Sequence, residues 1–442
     1  MNLIPATVLS GFAGSGKSTL SRRLIAALSD KKVAVIVSDL GPGDVDAGLC
    51  ESKTTDGSIR CESREHFALE LRKLGRARAW DHLIVESTGI SEPLPVAEMF
   101  AVDDGRGTPV SRYTKIDTMI TVIDATRFLA DLASPDRLVD RGIGAKPTDQ
   151  RRVAEVLVAQ VELADLLCLT KADLVAETEL ARIEALLRKL NPRARVVRAP
   201  EGDGPVAEMT ATGLFDYDAS RKATSPARMC ELPPAPAEHG FASFGYRRFR
   251  PFHPARFEAL VHGDWAGVVR SKGTYWVADR PDTAGEWSQA GSSLHHAIAG
   301  SFWAVTPEAD WPVSDEQKLR IKAVWQDPYG DRRQELSFVV DGLSRETLEA
   351  RLDACLLTDA EFALGPEGWR TLGGHEHGAH DHGGHAHDHG AHDHAHDHGA
   401  HDHEHAHDHG AHDHGDAGDG HDHSHDHARF QGHSPAGGRH SP

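Results

Sequence analysis

Along residues 1–212 the chain alternates short, nearly continuous apolar runs with stretches of helical periodicity. Ala6–Ser10, Val33–Ser38, His82–Glu86, Thr118–Asp124 and Leu166–Thr170 each predict a strand buried on both faces. Between the first two, Thr19–Leu28 places Leu20, Leu24, Ile25 and Leu28 on one side of a helix. Alternation of this kind predicts an α/β fold, a parallel sheet flanked by helices. Cys230-Glu-Leu-Pro-Pro-Ala-Pro-Ala-Glu238 predicts a semi-rigid linker.

From Gly240 to about Leu364 the texture is mixed. Ala242–Phe249 and Gln334–Val340 predict strands, and Ser344–Leu356 a helix with Ser344 as its N-cap. A smaller α+β C-terminal domain follows, with Trp265, Trp276, Trp287, Trp303 and Trp325 expected in its core. After Gly373 the chain is a low-complexity His/Asp tail in which Gly-Ala-His-Asp-His recurs at 378, 390, 399 and 410. Such a tail has too little apolar surface to offset the entropy of ordering, so it is predicted disordered. The expected domains are 1–212, a linker 213–239, 240–365 and a tail 366–442.

Charge sharpens the division. The 442 residues carry 48 basic and 67 acidic side chains, a formal charge of −19. The tail from His375 holds 24 of the 31 histidines and contributes −11, leaving an ordinary −8 for the rest. This balance excludes a basic nucleic-acid-binding surface as the main feature. Cysteines at 50, 61, 168, 230 and 355 form no disulfide framework. With no basic leader and no apolar run near 18 residues, a cytoplasmic protein without a membrane partner is expected.

Candidate chemistry begins at Gly11-Phe-Ala-Gly-Ser-Gly-Lys-Ser18, which fits G-x-x-x-x-G-K-[ST] between a predicted strand and helix. Gly11, Gly14 and Gly16 allow the backbone of Ser15 and its neighbours to turn N–H groups inward, and the helix start at Lys17–Thr19 adds partial positive charge. Lys17 is expected at the β- and γ-phosphates and the Ser18 hydroxyl on Mg²⁺. Glu86 ends the third strand, three residues before Gly89, where a carboxylate faces the ligand crevice of a parallel sheet. It would hold the Mg²⁺ shell or orient the attacking water, and the Gly89 N–H would sense the γ-phosphate. Asp39, at the end of the second strand, is a rival Mg²⁺ carboxylate. Thr170-Lys171-Ala-Asp173 follows the fifth strand. Asp173 would accept both the N1–H and the exocyclic amine of guanine, a donor pair that adenine lacks, and Lys171 would lie along the base.

Together with Glu86-Ser-Thr-Gly89-Ile-Ser-Glu-Pro93 and Val122-Ile-Asp-Ala125, these motifs resemble the CobW-type metallochaperone GTPases. Arg270-Ser-Lys-Gly273, Trp287-Ser-Gln-Ala-Gly291 and Gly330-Asp-Arg-Arg-Gln-Glu-Leu336 resemble that family's C-terminal domain. The last of these, with Leu352-Asp-Ala-Cys-Leu-Leu-Thr358, is most similar to the branch induced by zinc starvation. The resemblance spans about residues 4–365. It implies a GTPase that loads or delivers a transition metal, usually zinc or cobalt, to a client metalloprotein with nucleotide state as the gate; slow turnover is expected because no arginine finger is identifiable.

The family's Gly-Cys-x-Cys-Cys motif is degenerate here. The matching stretch reads Gly57-Ser-Ile-Arg-Cys61, and Pro42 stands where the resemblance implies a glutamate. One thiolate cannot hold a tetrahedral ion. Cys61 with Cys50, His66 and Asp44 or Asp46 is a substitute donor set, and Arg60 is a candidate arginine finger. The tail supplies imidazoles instead, among them His375, His377, His380, His382, His392, His394, His401, His403, His412 and His414. Neutral imidazole suits Zn²⁺, Ni²⁺ and Co²⁺, and a tethered tail presents such ions at high effective concentration. Two alternatives stand beside this expectation: a metal buffer with a vestigial GTPase, and an assembly factor for one metalloenzyme of the nitrile-hydratase-activator type.

Overall fold

The computed structural model describes residues 3–38, 54–55, 58–61, 63–101, 109–199, 206–223, 225–231 and 235–373. Asp39, Asp44, Asp46, Cys50, Gly57 and all the tail histidines lie outside the described residues, as does the expectation of tail disorder. Both sheets described below belong to one unit, Met1–His377.

The first half is the expected α/β layer structure. In chain order it comprises β1 (Ile4–Gly11), α1 (Lys17–Ala27), β2 (Val33–Ser38), β3 (Thr54–Thr55), β4 (Ser58–Cys61), α2 (Arg64–Ala77), β5 (His82–Ser87), α3 (Pro93–Ala101) and β6 (Thr114–Asp124). It continues through α4 (Phe128–Ala133), α5 (Val153–Leu163), β7 (Leu166–Thr170), α6 (Glu177–Leu190) and β8 (Arg195–Ala199). The strand order is β3-β4-β2-β5-β1-β6-β7-β8, parallel except for the β3–β4 pair. Continuous apolar strands are buried between helices, as in Ala6, Val8 and Leu9 of β1 and Leu83–Val85 of β5. Leu20 and Leu24 of α1 and Leu28 at its C-cap are buried as patterned, but Ile25 is 36% exposed.

The stretch expected as linker is more structured than its composition implies. It holds α7 (Tyr217–Ala223), α8 (Pro226–Glu231) and β9 (Ala235–Glu238), which pairs antiparallel with β10 (Phe241–Arg248). Prolines are tolerated there because β9 is an edge strand. Arg188 of α6 bonds Glu238 at 2.7 Å, and Lys189 donates to the Pro236 carbonyl at 3.0 Å.

The second sheet is antiparallel, in the order β13-β12-β11-β14-β10-β9. Around and within it lie α9 (Pro254–Val261), β11 (Val268–Tyr275), β12 (Thr283–Ala290), β13 (Ser293–Ser301), α10 (Asp315–Ala323), β14 (Gln334–Asp341), α11 (Arg345–Asp353), α12 (Asp359–Phe362) and α13 (Gly365–Trp369). Ser344 caps α11 by accepting from the Thr347 N–H. Phe244, Phe257, Trp287, Phe338, Leu348 and Leu352 lie in one core cluster between sheet and helices. Trp276 and Trp287 are buried as expected, whereas Trp325 is 37% exposed and packs against the buried Trp311.

Candidate nucleotide site

The C-terminal ends of β1, β5, β6 and β7 converge on one edge of the parallel sheet, where this architecture binds ligands. The loop from Gly11 to Gly16 leaves β1 there and enters α1. Its shape depends on glycine. Gly11, Gly14 and Gly16 have φ of 139°, 75° and 99°. A Cβ on Gly11 would stand 2.3 Å from the Val122 carbonyl oxygen of β6. Gly16 caps α1 with no side chain, so no side chain competes for the helix's first N–H groups. Ser15 is buried, and its Oγ has no partner among the described residues. A glycine-shaped loop at a helix start, with one buried and unpartnered hydroxyl, fits a polyphosphate.

Lys17 lies across this cradle. Its ammonium donates to the carbonyls of Gly11 at 2.8 Å and Phe12 at 3.0 Å. Burial lowers its pKa from the usual lysine range to about 8, partly offset by the Glu86 carboxylate. Ser18 Oγ donates to Glu86 Oε1 at 2.6 Å. Two hard oxygens, from the loop and from the end of β5, thus meet beside Lys17, the donor chemistry that Mg²⁺ takes. Thr19 is exposed in the first turn of α1.

Beyond β5, Gly89 approaches the loop closely: a Cβ on it would stand 2.6 Å from the Ala13 amide nitrogen. Thr88 N–H donates to the Ser38 carbonyl at 3.1 Å, which ties this segment to the end of β2. Thr170 Oγ1 donates to the Ser15 carbonyl at 2.7 Å, so the Thr170–Asp173 segment is bonded directly to the phosphate loop. Asp173 is exposed in a short turn of 3-10 helix. Lys171 adopts φ 55°, and its ammonium sits 2.6 Å from Asp124 Oδ2. Burial would raise the Asp124 carboxyl, but Lys171 and Thr126 together hold it below the ordinary carboxylate range.

Asp124, Gln160 and Arg151 also bear on these segments, and strand reading did not single them out. Asp124 sits inside the Val122–Ala125 motif, the one signal that pointed to it. Gln160 donates to the carbonyls of Gly89 at 3.3 Å and Ser91 at 3.2 Å, and Arg151 to that of Ile90 at 2.9 Å. No local pattern marks either residue.

Of the substitute metal site only Cys61 and His66 lie among the described residues. Cys61 is fully buried with Phe67 and Leu71, and burial, with the Glu70 charge, pushes its thiol up to about 12. His66 Nε2 lies 3.6 Å from Glu70 in α2. Among the described residues no group of three or more His, Cys, Asp or Glu side chains is placed to hold a metal ion. Arg60 is exposed on β4. No helix of the described residues is long and apolar enough to cross a membrane.

Residues 5–198 match the CobW/HypB/UreG nucleotide-binding domain, and residues 241–356 match the cobalamin synthesis protein cobW C-terminal domain. A zinc-regulated GTPase metalloprotein activator 1 of Dictyostelium discoideum is 37% identical over 396 residues, 83% of each chain. A zinc chaperone of Mycobacterium tuberculosis is 31% identical over 71% of this chain and 76% of its own. With both sheets matched by domain models and such identity across most of two full lengths, this chain belongs to the CobW family of P-loop GTPases.

Proposed function

We propose that the protein is a GTP-hydrolysing metallochaperone of zinc homeostasis, in which nucleotide state gates delivery of Zn²⁺, or of Co²⁺ or Ni²⁺, to a client metalloprotein in the cytoplasm. The observation that carries it is the joint placement of Lys17, Ser18 and Glu86 at a glycine cradle, in a chain whose relatives are named for zinc-regulated GTPase activity and zinc chaperoning.

On GTP binding, Lys17 exchanges two carbonyl partners for phosphate oxygens, to which its charge is better matched. Mg²⁺, held by Ser18 and Glu86 with Asp39 as a further carboxylate, would neutralise charge on the phosphoryl group. Glu86 also orients the attacking water, and the Gly89 N–H donates toward the γ-phosphate. Water oxygen bonds to the γ-phosphorus as the bond to the bridging oxygen breaks, its electron pair leaving on GDP and the water's proton passing to a phosphate oxygen, to give GDP and inorganic phosphate. Asp173 accepts the guanine donor pair. Lys171, fixed by Asp124, packs beside the base. Turnover is slow, since the sequence offers no arginine finger beyond Arg60, which is exposed on β4.

The tail histidines carry the transition metal. The test is zinc affinity of the full chain with GDP and with a non-hydrolysable GTP analogue, in wild type and in Lys17→Ala. A nucleotide-dependent affinity that disappears in the variant supports gating. Equal zinc affinity under all four conditions means a metal buffer and overturns it.

A further inference from the structure

The carbonyls of three consecutive residues beyond β5, those of Gly89, Ile90 and Ser91, are all held by side chains from one short segment of chain. Gln160 Nε2 takes the first and third, and Arg151 Nη1 the second. Arg151 is itself fixed by Asp149 through Nε at 3.0 Å and Nη2 at 2.8 Å. Gln160 is buried, and its backbone carbonyl accepts from Thr121 Oγ1 at 2.6 Å, anchoring it to β6. Neither residue is needed to build a glycine cradle. Both grip the segment that lies against Ala13 of that cradle.

Gln160 belongs to α5, and α5, like α6, also meets the second domain. Glu155 and Glu162 are seven residues apart, two turns, and so share one face. Glu162 receives Arg270 Nε and Lys272 Nζ of β11, each at 3.0 Å, with its side chain 17% exposed. Glu155 accepts from Ser293 Oγ of β13 at 2.5 Å and is paired with His295. Burial would raise the Glu162 carboxyl, yet the two cations hold it down to about 2, so the contact is between full charges. Packing is tight at this junction: a Cβ on Gly291 would stand 2.8 Å from Ala154 Cβ. Close packing and paired charges move as a unit rather than deform.

We propose that α5 transmits nucleotide state: Gln160 positions the Gly89–Ser91 main chain against the phosphate loop, and Glu162 passes the helix's position to the second domain through Arg270 and Lys272. This rests on the gating reading above and adds its route. GTP, which reaches Gly89, and GDP, which does not, bias α5 differently. By reciprocity, a change at Glu162 alters the preference between the two nucleotides. Gln160 is a positioning residue, since it touches the loop and not the nucleotide.

The test uses the full chain with Mg²⁺ and measures affinity for a non-hydrolysable GTP analogue and for GDP. Gln160→Met, which keeps the volume and removes the donor, is expected to weaken the analogue by about fivefold or more and leave GDP within about twofold. Glu162→Gln, remote from the loop, is expected to shift the same ratio. A merely structural role would weaken both nucleotides alike in Gln160→Met, and that result overturns the positioning. An unchanged ratio in Glu162→Gln overturns the transmission. Hydrogen exchange on the wild type needs no variant: replacing GDP by the analogue is expected to alter protection in both 153–163 and 268–275. Change confined to 88–92 overturns the route. Failure of the wild type to bind either nucleotide sinks the gating reading itself, and this inference with it.

Discussion

Ser18 and Glu86, 68 positions apart in the chain, are joined by a 2.6 Å hydrogen bond from the Ser18 hydroxyl to Glu86 Oε1. Parallel pairing of β1 with β5 brings them together, since register Leu9↔Glu86 sets the carboxylate beside the start of the phosphate loop. Ser18→Ala removes the hydroxyl and leaves the glycine cradle intact. Its expected effect is a loss of Mg²⁺-dependent GTP affinity of about 10- to 100-fold, the scale of one charge-assisted hydrogen bond. Titration calorimetry with and without Mg²⁺ checks this, and Mg²⁺-independent binding in the variant should match wild type.

Gly89→Ala tests the closeness of the switch segment. The new methyl would stand 2.6 and 2.7 Å from the Ala13 backbone, which cannot yield as a flexible side chain would. Overpacking of this kind costs about 1–3 kcal/mol. Turnover of GTP should fall more than GDP affinity, as read by phosphate release beside equilibrium binding.

Asp173→Asn addresses base choice. An amide still accepts one guanine hydrogen bond but loses the matched pair. Competition between GTP and ATP should shift toward ATP by about tenfold or more, because half of a specific donor–acceptor set is gone. Phosphate-loop function stays intact, so total nucleotide binding persists.

The Glu162 junction gives a pH dependence with a definite sign. Its carboxyl is held at about 2 in the folded protein against an ordinary value of 4.5. The group therefore stabilises the fold fully above pH 4.5, by on the order of 3 kcal/mol, and that contribution is lost as pH falls through 2. Burial lowers the Lys272 ammonium, which offsets part of the gain. The stability difference between wild type and Glu162→Gln should be largest near pH 6 and shrink by more than half at pH 3, followed by urea denaturation.

Removing the chain after Gly373 should abolish most zinc binding while leaving GTP affinity unchanged. Competition with a chromogenic chelator reads the first, and calorimetry the second. Tight zinc binding by the shortened chain would place the cargo site in the body instead.

Much of the architecture was legible because buried parallel strands must be apolar throughout, and the five runs read from the sequence coincide with β1, β2, β5, β6 and β7. β8 escaped because Arg195 and Arg198 break its run, Arg198 being paired with Glu177 and Glu184. β9 escaped because Pro236 suggests linker, and only its edge position makes the proline tolerable. In the site, the glycine-rich loop was legible because its conformation restricts residue type at each step. Gln160 and Arg151 were not, since they catch carbonyls about 60–70 positions away, and nothing in the surrounding sequence records it. Lys171 was expected along the base, and its ammonium lies on Asp124, whose place at the end of β6 is a matter of sheet order.

The strand at 235–238 has a mechanical consequence. Sewn into the second sheet by β10 and stitched to α6 through Arg188 and Lys189, it leaves little slack between the two halves. Any stroke that hydrolysis drives must then be a short tilt about this seam rather than a swing on a leash, so cargo would change hands by small realignment at close range.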